Sequence, residues 1–206
     1  NKRIQNNINF KNLNHETIKE HYENGNLKCD LSIDSSNKND EIIISSGKIF
    51  YENGNLDIEV QGSFSEGRRN GISKHYHENG NLKEEGSWMN DKPNGVWKYY
   101  HENGNLEREG SWKNHKQDGV WKYYHKNGKL KQEGIFITGK QNGTWKYFYK
   151  TGELQSEGNY NNGKRNGVWF GFHENGTKRR KIYFNMGEVK EETCWDKEGN
   201  EIKCEE

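Results

Sequence analysis

The chain has 206 residues, a formal net charge of +1, 31% charged residues and only 28% hydrophobic residues. That balance supplies no global field for nucleic acid or an anionic membrane. It contains no apolar run of membrane-span length, and its few aliphatic side chains cannot fill a thick two-layer core. Aromatics are nonetheless 13% of the chain, with seven Trp and eleven Tyr, which suits a thin fold in which each ring covers a large area.

Residues 1–16 carry little pattern and read as a fraying or capping N-terminal segment. From residue 17 onward the chain reads as one repeat domain extending to 206. Its first part, 17–59, holds two worn copies, both spelled YENGNL, at 22–27 and 51–56. A Ser/Asn/Asp stretch at 34–41 breaks their period.

Between about 60 and 185 the period is exact at 24 residues. Gly71, Gly95, Gly119, Gly143 and Gly167 keep it, as do Gly80, Gly104, Gly128, Gly152 and Gly176, and Gly62, Gly86, Gly110, Gly134 and Gly158. Trp97, Trp121, Trp145 and Trp169 form a fourth column. Tyr76, Tyr100, Tyr124, Phe148 and Phe172 form a fifth, and Phe64, Trp88, Trp112, Phe136, Tyr160 and Phe184 a sixth. Residues 186–206 are degenerate, with a capping copy at 195–202.

Within one repeat, GVWKYYH at 95–101 is rich in β-favouring residues. ENGN follows as a hairpin signal, and LEREGSW returns. Glycine recurs too often for a helix. The expected fold is all-β: an elongated, single-layer, solenoid-like meander of antiparallel hairpins. A two-residue type I′ loop at Asn103-Gly104 sets Lys98 opposite Glu109 and Trp97 opposite Gly110, a Trp-over-Gly pairing. Lys74/Glu85, Lys122/Glu133 and Lys146/Glu157 repeat the charge pair. One face then carries Trp97, Tyr99, Leu106, Gly110 and Trp112, and the other Lys98, Tyr100, Glu107 and Glu109. A three-residue loop instead moves Tyr100 beside Leu106. Pro93 is expected between strands.

The pattern G-V-W-x-Y-Y-x-x-N-G-x-L-x-x-E-G-x-W, as at 95–112 and 119–136, resembles the variant subclass of MORN (membrane occupation and recognition nexus) repeats. The resemblance is close over 60–185 and loose elsewhere. It implies a curved single-layer hairpin sheet with an aromatic-lined groove. It also implies binding of proteins or, in some relatives, lipids, and an antitoxin-like role in bacterial members. It carries no catalytic residues.

The candidate partner-binding residues are the groove aromatics Trp97, Tyr99, Trp112, Trp121, Tyr123, Trp145, Tyr147 and Trp169; whether they meet a partner or only each other stays open. Gly171, at the Tyr99 position, and Lys178, at the Leu106 position, mark a thinning toward the C-terminal end. A candidate anion-binding ridge follows from Arg68, Arg69, Lys92, Lys116, Lys140, Lys164 and Arg165, placed in interstrand loops; the other edge carries Glu52, Glu78, Glu102, Glu153 and Glu174. The ridge fits anionic lipid or glycan, or it merely keeps the edge solvated.

Nothing points to catalysis, a metal or a cofactor. Glu84, Glu85, Glu107, Glu109, Glu133 and Glu157 follow the repeat, whereas a catalytic carboxylate pair needs two different environments. His77, His101, His125 and His173 stand in one column, too far apart to share an ion; His75 with His77 is the weaker candidate pair. The register places Cys194 and Cys204 on opposite faces, which argues against a bridge. The expected function is a non-catalytic protein-binding module, antitoxin- or immunity-like. The alternative is a secreted or cell-surface protein that binds lipid headgroups, glycans or host structures, and the Asn start tilts localisation that way.

Overall fold

A computed structural model describes residues 16–34, 43–62, 64–65 and 68–204. The expected N-terminal segment, apart from Glu16, and the insertion beyond Asp34 lie outside them. Every element among the described residues is a β-strand, and all pairings are antiparallel. The chain divides into two units, 1–93 and 94–206.

In the first unit, β1 (Glu16–His21), β2 (Leu27–Asp34), β3 (Ile43–Phe50), β4 (Leu56–Gln61), β7 (Gly71–Tyr76) and β8 (Leu82–Met89) lie in the sheet in chain order. Two short strands, β5 (Phe64–Ser65) and β6 (Arg68–Arg69), pair separately. The division falls inside β9 (Lys92–Tyr100). Pro93 is thus the second residue of a strand and not a linker, at a strand start where proline is tolerated.

The second unit continues through β10 (Leu106–Lys113), β11 (Lys116–Tyr124), β12 (Leu130–Ile137), β13 (Lys140–Phe148), β14 (Leu154–Asn161), β15 (Lys164–Phe172), β16 (Lys178–Asn185), β17 (Glu188–Trp195) and β18 (Glu201–Ile202). Again sheet order follows chain order.

The hairpins turn differently at the two edges. At the Asn-Gly tips, His101 N–H donates to Asn105 O at 2.8 Å and Gly104 N–H to His101 O at 2.9 Å. Gly104 has φ +86° while Asn103 keeps a negative φ. The loop is therefore three residues long, a turn closed by a left-handed glycine, and not the expected two-residue type I′ loop. It sets Tyr100 opposite Leu106, yet Lys98 still faces Glu109 and Trp97 still faces Gly110. The reconciliation is a one-residue bulge at Glu107, which absorbs the extra loop residue. Leu106 is thereby moved to the face opposite Trp97, and Arg108 stands beside Tyr99 instead.

The type I′ turns lie at the other edge. Asn114-His115 (φ 51° and 62°), Thr138-Gly139 (50° and 84°) and Asn162-Gly163 (52° and 85°) each have two positive φ values. What read as an interstrand linker is a tight hairpin. Beside it, Gly119, at φ +84°, sits in a bulge: Gly110 pairs Trp121 while Ser111 pairs Asp118. That left-handed step is why the Gly119 column admits no other residue cheaply.

Both edges are stitched from repeat to repeat. Gly139 N–H donates to Gln117 O at 2.9 Å, and Asp118 Oδ1 accepts from Thr138 N–H at 3.2 Å. At the tips, Asn103 and Asn105 both donate Nδ2 to Lys126 O at 2.8 Å. His101 Nε2 reaches Tyr124 O at 3.2 Å, His125 Nε2 reaches Phe148 O at 3.1 Å, and Tyr149 Oη reaches Phe172 O at 2.7 Å. The His/Tyr column therefore works as one set: either side chain hands a proton to the next repeat's carbonyl.

At the C-terminal end, Cys194 and Cys204 form a disulfide with Cα atoms 5.3 Å apart, correcting the expectation of opposite faces. The tip there is also a three-residue loop, so Cys194 pairs with Ile202. No bulge resets the parity, and Cys204, two residues beyond Ile202, falls on the side of Cys194. Cys29 is free and buried.

The interchangeability of the stitch residues is testable. His125→Ala should cost about 1 kcal/mol in urea unfolding, the worth of one hydrogen bond. His125→Tyr should cost less than half of that, because Tyr149 fills the same position in the next copy.

Candidate functional site

In the second unit the face bearing Trp97 holds the core. Trp97, Trp121, Trp145 and Trp169 are at most 3% exposed. Each of the last three covers a glycine of the preceding strand: a Cβ added at Gly110, Gly134 or Gly158 would stand 2.2 to 2.3 Å from the ring of Trp121, Trp145 or Trp169. The register pair Trp97–Gly110 is as expected, but the ring over Gly110 comes from Trp121 in the following repeat. Edge-on contacts then link the rings across strands. Trp112 meets Trp121 at 5.6 Å, Phe136 meets Trp145 at 5.1 Å and Tyr160 meets Trp169 at 5.1 Å, each near 90°. The indole N–H groups of Trp121, Trp145 and Trp169 donate to Ser111 O, Ile135 O and Asn159 O.

Of the eight aromatics expected in a groove, four are thus interior floor. The other four, Tyr99, Trp112, Tyr123 and Tyr147, are half-buried above it. Tyr123 accepts from Gln117 Nε2 at 3.1 Å, and the hydroxyls of Tyr147 and Tyr160 share a 3.1 Å hydrogen bond. The guanidinium of Arg108 lies 4.1 Å above the Tyr99 ring, a cation–π arrangement. Arg108 sits between Tyr99 and Tyr123 in the register. Sequence columns missed it because its counterparts are Gln132 and Ser156.

The ridge residues separate into two groups. Lys92, Lys116, Lys140 and Lys164 are the first residues of β9, β11, β13 and β15, not loop residues, and are exposed. Arg68 is exposed on β6. The stems of Lys116 and Lys164 run beside Gly139 and Gly187 of the next turn. Arg69 instead pairs with Asp91 at 3.0 Å and lies 3.7 Å over Trp88. Arg165 lies 4.4 Å over Trp169. Both arginines thus lie over aromatic rings, unlike the lysines of the ridge.

The weaker metal candidates, His75 and His77, fall in different local structure. His75 is on β7, but His77 begins the tip turn, donating its N–H to Asn81 O. Among the described residues one cluster of ligand types exists, Glu192 with Cys194 and Cys204, and both sulfurs there are spent in the disulfide.

Burial is the main cause of raised tyrosine pKa values. It pushes Tyr51 and Tyr124 up to about 12, helped by Asp57 and Glu109 respectively. Tyr123 and Tyr147 are also raised by burial, Tyr147 with help from Tyr160. A folded-state pKa above the unfolded value of about 10 binds the proton more tightly in the folded chain. This stability is complete below pH 10 and is lost as pH climbs toward 12. Tyrosinate absorbance should therefore rise together with loss of the near-ultraviolet circular dichroism of the indoles. Full ionisation of these tyrosines near pH 10 with that signal intact would contradict their burial.

Among the described residues, no helix is long and apolar enough to cross a membrane. Among curated proteins, no sequence matches the chain. A family model for the MORN repeat variant matches five successive segments, residues 69–90, 93–114, 117–137, 141–162 and 165–186. These matches follow the 24-residue step and cover more than half of the chain, so the chain belongs to the family of MORN repeat variants.

Proposed function

We propose that the chain is a non-catalytic protein-binding module, and that it neutralises its partner in the manner of an antitoxin or immunity protein. MORN repeats are generally binding modules. The observation that carries the reading is the pairing of a rigid floor with an accessible upper layer. Trp121 and Trp145 are fully buried, while Tyr99, Trp112, Tyr123, Tyr147 and Arg108 stand half-buried above them. Held aromatic and arginine side chains lose little entropy on contact, and such residues dominate interface energies. The carboxylates Glu109, Glu133 and Glu157 lie on the opposite face, each at the same register position beside a lysine.

A second reading rests on Lys116, Lys140 and Lys164, exposed along one edge at a spacing of roughly 9–10 Å, two strands apart. It gives binding to anionic lipid or an anionic glycan at that edge, in a secreted or cell-surface setting.

Capture of a partner from the source organism, compared between the native chain and Tyr123→Ser/Tyr147→Ser, tests the first reading. Loss of about 2 kcal/mol of affinity, roughly 30-fold, is expected with near-ultraviolet circular dichroism retained. Undiminished capture by that variant, with loss on Lys116→Glu/Lys140→Glu, would transfer the function to the ridge. Flotation with anionic vesicles, repeated at high salt, then identifies a headgroup as the ligand.

A further inference from the structure

The face opposite the indoles carries three parallel rows in the second unit. The middle row runs across β9 to β14 as Lys98, Glu109, Lys122, Glu133, Lys146 and Glu157, in register. Its signs alternate strictly. Toward the tips lies an apolar row of half-buried pairs, Tyr100/Leu106, Tyr124/Leu130 and Phe148/Leu154. Toward the type I′ turns stand Val120 and Ile135, register partners that are 56% and 42% exposed, with Ile137 beside them at 54%. Within the middle row, among the described residues, one ion pair closes, Lys146 to Glu157 at 4.0 Å. Glu109 accepts from the Tyr124 hydroxyl at 2.9 Å.

We propose that this face docks on a second copy of the chain. Take a two-fold axis parallel to the strands, midway between β11 and β12. It reverses the order of strands and preserves position along them. Lys122 then faces Glu133 of the second copy, Glu109 faces its Lys146, and Lys98 faces its Glu157. All six positions meet the opposite sign, counted from either copy. The same operation places Val120 on Ile135, Tyr124 on Leu130 and Leu106 on Phe148. The tip-side row meets apolar side chains throughout, and the turn-side row does so at its centre, with Ser111 facing Thr144 and Val96 facing Asn159 toward its ends, so that one patch is matched against itself as in an isologous interface. An odd number of alternating charges, or an axis lying along a strand instead of between two, would set like charges together, and an axis moved by a whole strand would match fewer opposite charges.

Two twisted sheets cross at about 30° when packed face to face, so the central pairs, Lys122/Glu133 and Val120/Ile135, carry most of the contact. Six strands about 4.8 Å apart and some seven residues long offer about 600 Å² per copy. That is below the roughly 800 Å² per partner of a standard complex, so the dimer is weak and concentration-dependent. Apolar burial drives it and the charges choose its register. The surface is separate from the aromatic face, and the inference does not rest on the partner-binding reading.

Sedimentation equilibrium over a concentration series up to about 1 mM, near the weak limit such an interface allows, tests it. The native chain should dimerise. Lys122→Glu and Glu133→Lys should each remain monomeric, because each places two like charges together twice. An equimolar mixture of the two should dimerise again, because every clash becomes an attraction between copies. Pairing within one chain cannot produce that rescue, since each variant alone carries a like-charged pair. Ile135→Asn, a change at an exposed side chain, should weaken native dimerisation at least tenfold and covers the case in which a charge variant fails to fold. A native chain that stays monomeric throughout, or folded variants whose mixture does not associate, overturns the proposal.

Discussion

The interaction on which this structure depends is the indole laid over a glycine of the strand before it. A Cβ at Gly134 would stand 2.2 Å from the Trp145 ring, so the ring occupies the space where a side chain would be. This lets a single sheet bury tryptophan completely. The ring lies flat on its own sheet's backbone, and edge-on neighbours such as Phe136 close it from the sides. Gly110 and Trp121 pair across the hairpin closed at Asn114-His115, but the glycine belongs to one 24-residue copy and the indole to the next, so no copy completes its own core. Stability is therefore a property of neighbouring copies, as expected of repeat arrays.

The same dependence governs the edges. The turns at Thr138-Gly139 and Asn162-Gly163 give N–H groups to the repeat before them, and the tips at Asn103-Gly104 and Asn127-Gly128 give side-chain amides to the repeat after them. Backbone groups that an isolated hairpin would leave to water are thus paired across copies. The aromatic face is held from beneath and at both ends, which fixes the tyrosines and Arg108 in place. The opposite face, free of this task, is left with alternating charges and exposed Val120 and Ile135.

Much of this was legible in the sequence because strand parity is strict. The recurrence of Lys122 with Glu133, and of Trp97 with Gly110, favours the register that the structure has at those pairs. The tip loop is ambiguous in sequence because Asn-Gly suits both a two-residue and a three-residue turn; a bulge at Glu107 hides the difference from the charge pairs but not from Leu106. The Asn114-His115 turn was invisible because it lacks glycine. Cys194 and Cys204 were misplaced for the converse reason, a three-residue tip with no compensating bulge. The burial of the Trp121 column was not legible, since it depends on which neighbouring ring leans over which glycine. The Asn and His/Tyr ladders were visible as columns, but their bonds reach across copies, where spacing alone does not say what meets what.

The core stands or falls on the ring-over-glycine contact, and a double-mutant cycle between Gly134→Ala and Trp145→Leu measures it most directly. With Trp145 present, the added methyl should destabilise the chain by about 2–3 kcal/mol, the cost of overpacking a filled core. With leucine at 145 the same methyl should cost less than about 1 kcal/mol, leaving a coupling energy above 1 kcal/mol. Equal costs in the two backgrounds would mean that the indole does not rest on Gly134 and that the core is held together otherwise.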